Sequence, residues 1–538
     1  MHLKRRPSTT IQSFLLGVSP LLLAAACGGA PDESSSHRSM DPAGPESTAP
    51  EPVTKTAEQL LQFGVNFSQN LVSNSTRESE TSAVVLDSPP GTTLGLAVAF
   101  NTNDPAHSKP NGDDTQLSHH ECKGYSHVGM SYYTNGAVRG IHFATPPNQG
   151  VSYLFGDPGL VVEERGSFWL AYVYTLAISD ATWNAAPKQS DGCVSYSDLY
   201  NNVTVDRGCI TSVRIPKDGS AAIDMTSNGG AICFSGLGGE IDGGALYRSA
   251  ATANIYTAWW NVTRGKIEVF KNGVQLGLPF SIVTDGGYTM VNHPIFASSK
   301  PTATKDELPT VIAPDNFGRF WLSRYDEQKN TWTTAQLTGS GTYSEDEVTL
   351  KGTTTTIRHI GYTAETFTEN GLNYLYFFYS TKKDSSGIKR LQGATCTFVG
   401  ASTHDCNVLG SGITPGNASA FLPALAAVSV SGGSYHPWLS YWTDNVNPAG
   451  TVQMVMARVD RVTGSMTRYP VGGVETPCPR GLSGTPDYWG DYDTLSIVSQ
   501  GSSQPSLVRY LTDSTASTCQ VNAGNPQHIS AIVGNGAL

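Results

Sequence analysis

A short aromatic segment that recurs along the chain is the feature that most constrains its fold. The clearest copies are residues 166–172, 318–325 and 435–441, and in all three a small residue follows Trp-Leu directly. Weaker copies lie at residues 94–100, 255–260, 374–379 and 505–511. Alternating or continuous aromatic and β-branched runs bounded by turn residues are typical of strands. Seven such segments, about 70 residues apart, predict an all-β protein made of repeated units.

An apolar run and a turn precede each of the three clearest copies, and the run begins at or just after Pro158, Pro309 or Pro423. This pattern predicts a β-hairpin whose second strand carries Trp-Leu. Hairpins occur in sandwiches and propellers, but propellers are built by repeating one unit around a centre. We therefore expect a β-propeller of seven four-stranded antiparallel blades over residues 81–538. Trp169, Trp321 and Trp438 should then occupy equivalent strands.

Two segments carry a resemblance to a known family. Residues 127–136 look like a degenerate Asp-box strand and turn, and residues 489–492 look like part of a closing blade. At these positions the chain resembles the sialidase-like, BNR-repeat β-propellers of secreted bacterial proteins. It departs from them at Tyr133, which stands where the box has Asp, and no intact box exists. An Arg-Ile-Pro begins at Arg214, in about the third repeat rather than the first, so the motifs do not support sialidase catalysis.

The N-terminus has the organisation of an export signal. Basic residues 4–6 precede the apolar segment 14–26, and Cys27 follows directly after three alanines. This arrangement resembles a bacterial lipobox, so residues 1–26 would be a lipoprotein signal peptide and Cys27 the lipidated first residue. Gly28 fits outer-membrane sorting. The sequence predicts an outer-membrane or cell-surface lipoprotein of a Gram-negative bacterium, and a plain secretory signal is the alternative.

Composition sets the remaining domain boundaries and excludes some partners. Residues 27–55 are rich in Ser, Pro and Glu and lack aromatics, which predicts a disordered tether, and residues 56–80 form an N-terminal extension. No later run of about 18 apolar residues exists, so the lipid is the expected membrane contact. A net charge of −11 argues against nucleic-acid binding. We expect a monomer.

Eight cysteines remain after Cys27, and an even count in an exported protein indicates disulfides. Local pairing is the simplest arrangement, although the count allows many others. Metal ligation is the competing use, but no Cys-x-x-Cys pair exists. The expected pairs are Cys396–Cys406, Cys193–Cys209, Cys478–Cys519 and, as the remainder, Cys122–Cys233.

A propeller would bring the starts of its innermost strands together around a central channel, where ligands commonly bind. Polar groups there, namely carboxylates, an imidazole and a guanidinium, would suit general acid–base catalysis on a glycan or the binding of a uronic-acid carboxylate. Alternatively, these groups would only cap strands. The expected ligand-binding residues are Asp157, Glu307, Arg358, His359, Asp487, Tyr488 and Asp491.

No cofactor and no metal site are predicted, with structural calcium or zinc as the alternative. Residues 119–122 with His107 and His127 supply ligand types for zinc, but adjacent histidines on an extended chain point to opposite faces. Residues 344–347 lack the spacing of a calcium loop. No nucleophile elbow, Walker loop or dinucleotide fingerprint occurs. The sequence thus predicts a lipid-anchored propeller that binds a glycan or a surface protein, and a glycoside hydrolase or polysaccharide lyase is the alternative.

Overall fold

A computed structural model gives the structure of the chain. It describes residues 67–70, 78–86, 95–102, 127–134, 137–143, 154–164, 167–175, 187, 206–214, 232–234, 241–249, 252–297, 308–344, 348–353, 356–358, 361–399, 402–409, 418–429, 435–475, 487–488, 495–497, 506–513 and 528–535.

Strands account for nearly all of the regular structure in these residues. The first five are β1 (Phe67–Asn70), β2 (Glu78–Leu86), β3 (Gly95–Thr102), β4 (His127–Thr134) and β5 (Ala137–Phe143). Blade 1 consists of β6 (Leu154–Glu164), β7 (Ser167–Thr175), β8 (Asp206–Arg214) and β9 (Ile232–Cys233). Blade 2 consists of β10 (Ile241–Arg248), β11 (Ile255–Asn261), β12 (Lys266–Lys271) and β13 (Val274–Gln275).

A short helix, α1 (Ser281–Asp285), leads into the next strands. Blade 3 consists of β14 (Ile295–Phe296), β15 (Thr310–Pro314), β16 (Phe320–Asp326) and β17 (Thr331–Gln336), and β18 (Val348–Thr349) and β19 (Thr356–Arg358) follow it. Blade 4 consists of β20 (Tyr362–Glu369), β21 (Leu372–Ser380), β22 (Leu391–Val399) and β23 (Ser402–Leu409). Blade 5 consists of β24 (Ala420–Ser429), β25 (Tyr435–Thr443), β26 (Val452–Val459) and β27 (Met466–Glu475). The last strands are β28 (Asp487–Tyr488), β29 (Leu495–Ile497), β30 (Ser506–Asp513) and β31 (His528–Asn535).

The connectivity of the five blades is that of a β-propeller. Within each blade the four strands are antiparallel and adjacent in chain order. The first strand of each blade contacts the first strand of the next, from β6 through β10, β14 and β20 to β24. First strands that touch one another must lie on the inside, so they surround the centre and the later strands lie progressively outward. The all-β propeller is confirmed.

The number of blades differs from the seven predicted. Five blades, from β6 to β27, are four-stranded sheets whose described side chains pack in the hydrophobic cores that join neighbouring sheets. The other strands form a sheet of β2–β5, a sheet in the order β1-β31-β30-β29, and a three-stranded sheet in which β19 and β28 are parallel. The aromatic repeat could not distinguish the five blades from the sheets that contain β3 and β30, because similar aromatic segments occur in both.

Strand β21 shows how the sequence pattern produces blade packing. Side chains of a strand alternate between the two faces of its sheet. Leu375, Phe377 and Tyr379 pack in the core shared with blade 3, whereas Tyr376 and Phe378 pack in the core shared with blade 5. A strand buried on both faces carries a continuous apolar run, which is why residues 374–379 match the aromatic repeat.

The three repeated tryptophans do not occupy equivalent strands. Trp169 in β7 and Trp438 in β25 lie on second strands, but Trp321 in β16 lies on the third strand of blade 3. The inner strand of blade 3, β14, has only two residues, Ile295 and Phe296, which is too short to be recognised as a strand in the sequence. The hairpin that carries Trp321 is therefore displaced outward by one strand.

Both ends of the described chain meet in one sheet. Phe67 of β1 pairs with Val533 of β31, so a segment expected to belong to the N-terminal extension joins the last sheet. Among the described residues, no helix is long and apolar enough to cross a membrane. The segments predicted as signal peptide and tether, with Cys27, lie outside the described residues.

One predicted disulfide is confirmed. Cys396 and Cys406 face each other on β22 and β23 of blade 4 and are bonded. Cys209 is also disulfide-bonded, and the β8–β9 register places Cys233 opposite it. The remaining predicted members, Cys122, Cys193, Cys478 and Cys519, lie outside the described residues.

Candidate functional site

Three side chains of types that can ligate a metal ion converge at the inner strands of three successive blades. Asp157 lies near the start of β6, Asp242 near the start of β10, and His293 two residues before β14. Their carboxylate oxygens and imidazole nitrogen all lie within 4.8 Å of one another. Because these strands are innermost, the group, here called the channel cluster, lies at one end of the propeller's centre.

Irregular backbone at each strand start directs these side chains. The residues Asp157, Gly243 and Asn292 have positive φ angles of 55°, 60° and 72°. In β6 and β10 they coincide with β-bulges, which bend a strand and re-aim its side chains. Blade 5 has the same combination of a β-bulge and a positive φ at Leu422, where φ is 50°, but the side chain there is apolar. The backbone feature is thus repeated around the propeller, and the polar side chains occur where blades 1 to 3 meet.

Hydrogen bonds fix the geometry of the channel cluster. The Gly243 N–H donates to Oδ2 of Asp157 at 3.3 Å, and Nε2 of His293 lies 3.0 Å from Oδ2 of Asp242. The His293 backbone is held on both sides, since its N–H donates to Oδ1 of Asn292 at 2.7 Å and its carbonyl accepts from the hydroxyl of Tyr362. The backbone of His293 is therefore held in place beside the two carboxylates.

Burial differs within the channel cluster. Asp157 and His293 are 7% and 4% exposed, whereas the Asp242 side chain is 37% exposed. A solute would therefore reach the buried pair past Asp242. Two carboxylates this close repel each other unless a positive charge compensates them, and a protonated His293 or a bound cation would do so.

The donor set of the channel cluster suits a divalent transition metal better than calcium. One imidazole nitrogen and two carboxylates are ligand types found around zinc. Calcium prefers six to eight oxygen ligands, of which these side chains supply two groups. The three residues could hold such an ion between the blades, and a bound solute would complete its coordination.

Of the site residues that the sequence predicted, Asp157 belongs to the channel cluster. Arg358 ends β19 and pairs with Tyr488 of β28, while Asp487 pairs with Ile357, so these three predicted residues share a two-strand parallel ladder. They stand in the three-stranded sheet rather than at the start of an inner strand of a blade.

Glu307, His359 and Asp491 lie outside the described residues. The strand that follows Glu307 is β15, the second strand of blade 3 rather than its first. Sequence reasoning missed Asp242 and His293. Their only signal is local, since Asp242-Gly243-Gly244 and Asn292-His293-Pro294 precede apolar runs in the same way as Gly156-Asp157-Pro158.

Comparison with known proteins gives structural similarities alone. No protein-family model matches this sequence, and no curated protein does. The chain is similar to the Trypanosoma rangeli sialidase in complex with sialic acid, with 10% identity and a TM-score of 0.37 over 87% of this chain and 58% of the sialidase. It thus spans little more than half the length of that enzyme.

Two other solved structures show comparable similarity. The leech intramolecular trans-sialidase has 13% identity and a TM-score of 0.34 over 90% of this chain and 72% of that one. AofleA from Arthrobotrys oligospora has 9% identity and a TM-score of 0.35 over 76% of this chain and 96% of that one. Similarities of this size carry no conclusion about the function of the site.

Proposed function

We propose that this chain is an exported, lipid-anchored β-propeller that binds a glycan at the channel cluster. One observation carries the proposal. Three polar side chains, Asp157, Asp242 and His293, reach one point from three different blades, and the most exposed of them opens that point to solvent. Convergent polar groups at an otherwise apolar centre are the common form of a ligand site.

The chemistry of the channel cluster fits sugar hydroxyls. Carboxylate oxygens accept hydrogen bonds from hydroxyl groups, and a charged acceptor makes these bonds stronger than neutral ones. The imidazole of His293 donates or accepts according to its protonation state. Because the backbone around the cluster is held by the bonds from Gly243 and to Asn292, its groups are positioned before a ligand arrives.

A glycoside hydrolase is the competing function, since the channel cluster contains two neighbouring carboxylates. The ligating oxygens of Asp157 and Asp242 lie within 4.8 Å. Retaining glycosidases separate their two carboxyl groups by about 5–5.5 Å and inverting ones by about 6.5–9.5 Å. A nearest-oxygen distance below 4.8 Å favours neither the retaining nor the inverting geometry, so the measurement of sugar release decides between binding and hydrolysis.

Anchoring and export rest on the sequence. The basic residues 4–6, the apolar segment 14–26 and Cys27 support a lipoprotein signal. Replacing Cys27 by Ala should release the protein from the membrane fraction, and unchanged membrane partitioning of that variant contradicts lipid anchoring.

A glycan array with the soluble Cys27→Ala chain tests ligand binding. We expect binding that falls at least tenfold in Asp157→Asn and His293→Gln, while Asp285→Asn, an exposed residue of α1, binds like the parent. A parallel array with EDTA shows whether a cation takes part. Incubation with mixed polysaccharides should release no reducing ends. Sugar release by the parent, or equal array binding by all variants, overturns the proposal.

A further inference from the structure

A second cavity lies between blades 1 and 2, away from the channel cluster. It has a volume of about 260 Å³, and its wall includes Glu163, Trp169 and Arg248 together with three isoleucines, Ile210, Ile232 and Ile255. Glu163 is the next-to-last residue of β6 and Arg248 the last residue of β10. Asp157 and Asp242 stand near the opposite ends of the same two strands. Six residues of strand separate Glu163 from Asp157, or about 20 Å.

This cavity between blades 1 and 2, here called the interblade pocket, contains polar groups that are available to a ligand. The Nε1–H of Trp169 is buried and has no hydrogen-bond partner within the described part of the chain. A buried donor without an acceptor destabilises the protein, and a ligand acceptor would remove that cost. Trp169 also packs against the core between blades 1 and 2, so its ring is held in place.

Arg248 and Glu163 supply opposite charges at the wall of the pocket. Arg248 is half-buried, and within the described ranges its guanidinium takes part in no hydrogen bond or ion pair. Glu163 is also half-buried, and its Oε2 accepts from Oγ of Ser212 at 3.1 Å, which fixes the carboxylate in orientation. A guanidinium without a carboxylate partner is well suited to bind one from a ligand in a two-pronged fork.

We propose that the interblade pocket binds a single carboxylate-bearing sugar unit, such as a uronic acid at the end of a glycan. Arg248 binds the sugar carboxylate, Glu163 accepts from ring hydroxyls, and the Trp169 N–H donates to a ligand oxygen. The isoleucines cover the C–H face of the ring. A volume just below the usual range of about 300–1,000 Å³ for ligand pockets suits one ring rather than an extended chain.

This inference adds a second site and a ligand class to the glycan binding proposed above, and rests on that function only for the choice of sugars over other acids. The two sites can be separated because they share no residue. Asp157→Asn alters the channel cluster and leaves the interblade pocket intact, whereas Arg248→Gln does the reverse.

Calorimetric titration of the Cys27→Ala chain with matched methyl glycosides tests the proposal. The probes are the glycosides of glucuronic, galacturonic and N-acetylneuraminic acids, with methyl glucoside and methyl galactoside as neutral partners. We expect at least one acidic probe to bind at least tenfold more tightly than the neutral sugars, since a charge-assisted hydrogen bond is stronger than a neutral one. Equal affinity for acidic and neutral probes, or binding of none of the acidic probes, overturns the proposal.

Variants then locate that binding. Arg248→Gln should weaken the acidic probe at least tenfold, and Trp169→Phe, which keeps an aromatic ring but removes the N–H, should weaken it severalfold. Lys329→Gln removes one positive charge at an exposed residue and should change nothing. Asp157→Asn should bind the probe like the parent even where it loses array binding. If Arg248→Gln remains folded by circular dichroism and binds unchanged, the pocket is not the site.

Discussion

Nε2 of His293 lies 3.0 Å from Oδ2 of Asp242, although the two residues belong to different blades. Gly243, the neighbour of Asp242, makes this approach possible. A Cβ at residue 243 would lie 2.6 Å from Cγ of His293, closer than real Cβ contacts. The position of the imidazole against the carboxylate therefore depends on the absence of a side chain at residue 243.

Gly243→Ala should destabilise the protein and displace His293 from Asp242. The left-handed backbone at residue 243 costs about 1–2 kcal/mol for a residue with a Cβ, and the contact with the imidazole adds to it. Denaturant unfolding measures the loss of stability, and the glycan array measures the loss at the channel cluster.

Two other glycines separate backbone strain from the contact. Gly287 also has a positive φ, 85°, but a Cβ there would meet nothing within 4 Å, and Gly277 likewise has open space around it. Gly287→Ala should show the strain alone, and Gly277→Ala should be close to neutral. If Gly243→Ala loses no more stability than Gly287→Ala and binds glycan normally, the contact with His293 does not matter.

Truncating Trp438 should cost more stability than truncating Trp321. Trp438 is fully buried in the core of blade 5, where large aromatic truncations cost about 3–5 kcal/mol. Trp321 is partly exposed on its third strand, and its Nε1–H donates to Oδ2 of Asp315 at 2.8 Å. We expect Trp321→Ala to lose less than Trp438→Ala in urea unfolding. Equal losses contradict the view that strand position decides the contribution of each tryptophan.

Peptide mapping under non-reducing conditions should link Cys209 to Cys233. Cys209 on β8 is disulfide-bonded and faces Cys233 on β9, in the same way that bonded Cys396 and Cys406 face each other on β22 and β23. In both blades the facing residues lie on the third and fourth strands. Recovery of a Cys193–Cys209 peptide instead, which the sequence suggested, contradicts this pairing.

His436 should make stability depend on pH. Burial, with the nearby positive charges of Arg458 and Arg461, lowers the pKa of His436 below its usual value of 6.5. Below about pH 6.5 the unfolded chain therefore binds a proton at this residue more readily than the folded chain does. The contribution of His436 to the free energy of unfolding is thus complete above that pH and is lost as the pH falls. Melting temperatures measured from pH 7.5 to 5.0 should fall less steeply for His436→Gln. Identical slopes for both proteins rule out this contribution.

Local pattern accounts for the strands, since burial on both faces of β21 requires the continuous apolar run that the sequence displays. It also accounts for the pairing of Cys396 with Cys406, which are close in the chain and flank a turn. Asp157 was found for a similar local reason, because it stands with Pro158 at the start of a strand. Each of these features lies within one hairpin, where neighbours in sequence are neighbours in space.

Only the tertiary structure determined the blade number, the outward position of Trp321 and the partners of Asp157. A two-residue inner strand such as β14 has too few side chains to show a period, and its pairing with β15 depends on the whole blade. Asp242 and His293 reach Asp157 because three inner strands meet at the centre, a relation between blades that no local spacing encodes. The interblade pocket has the same origin, since Glu163 and Arg248 come together through the packing of blade 1 on blade 2.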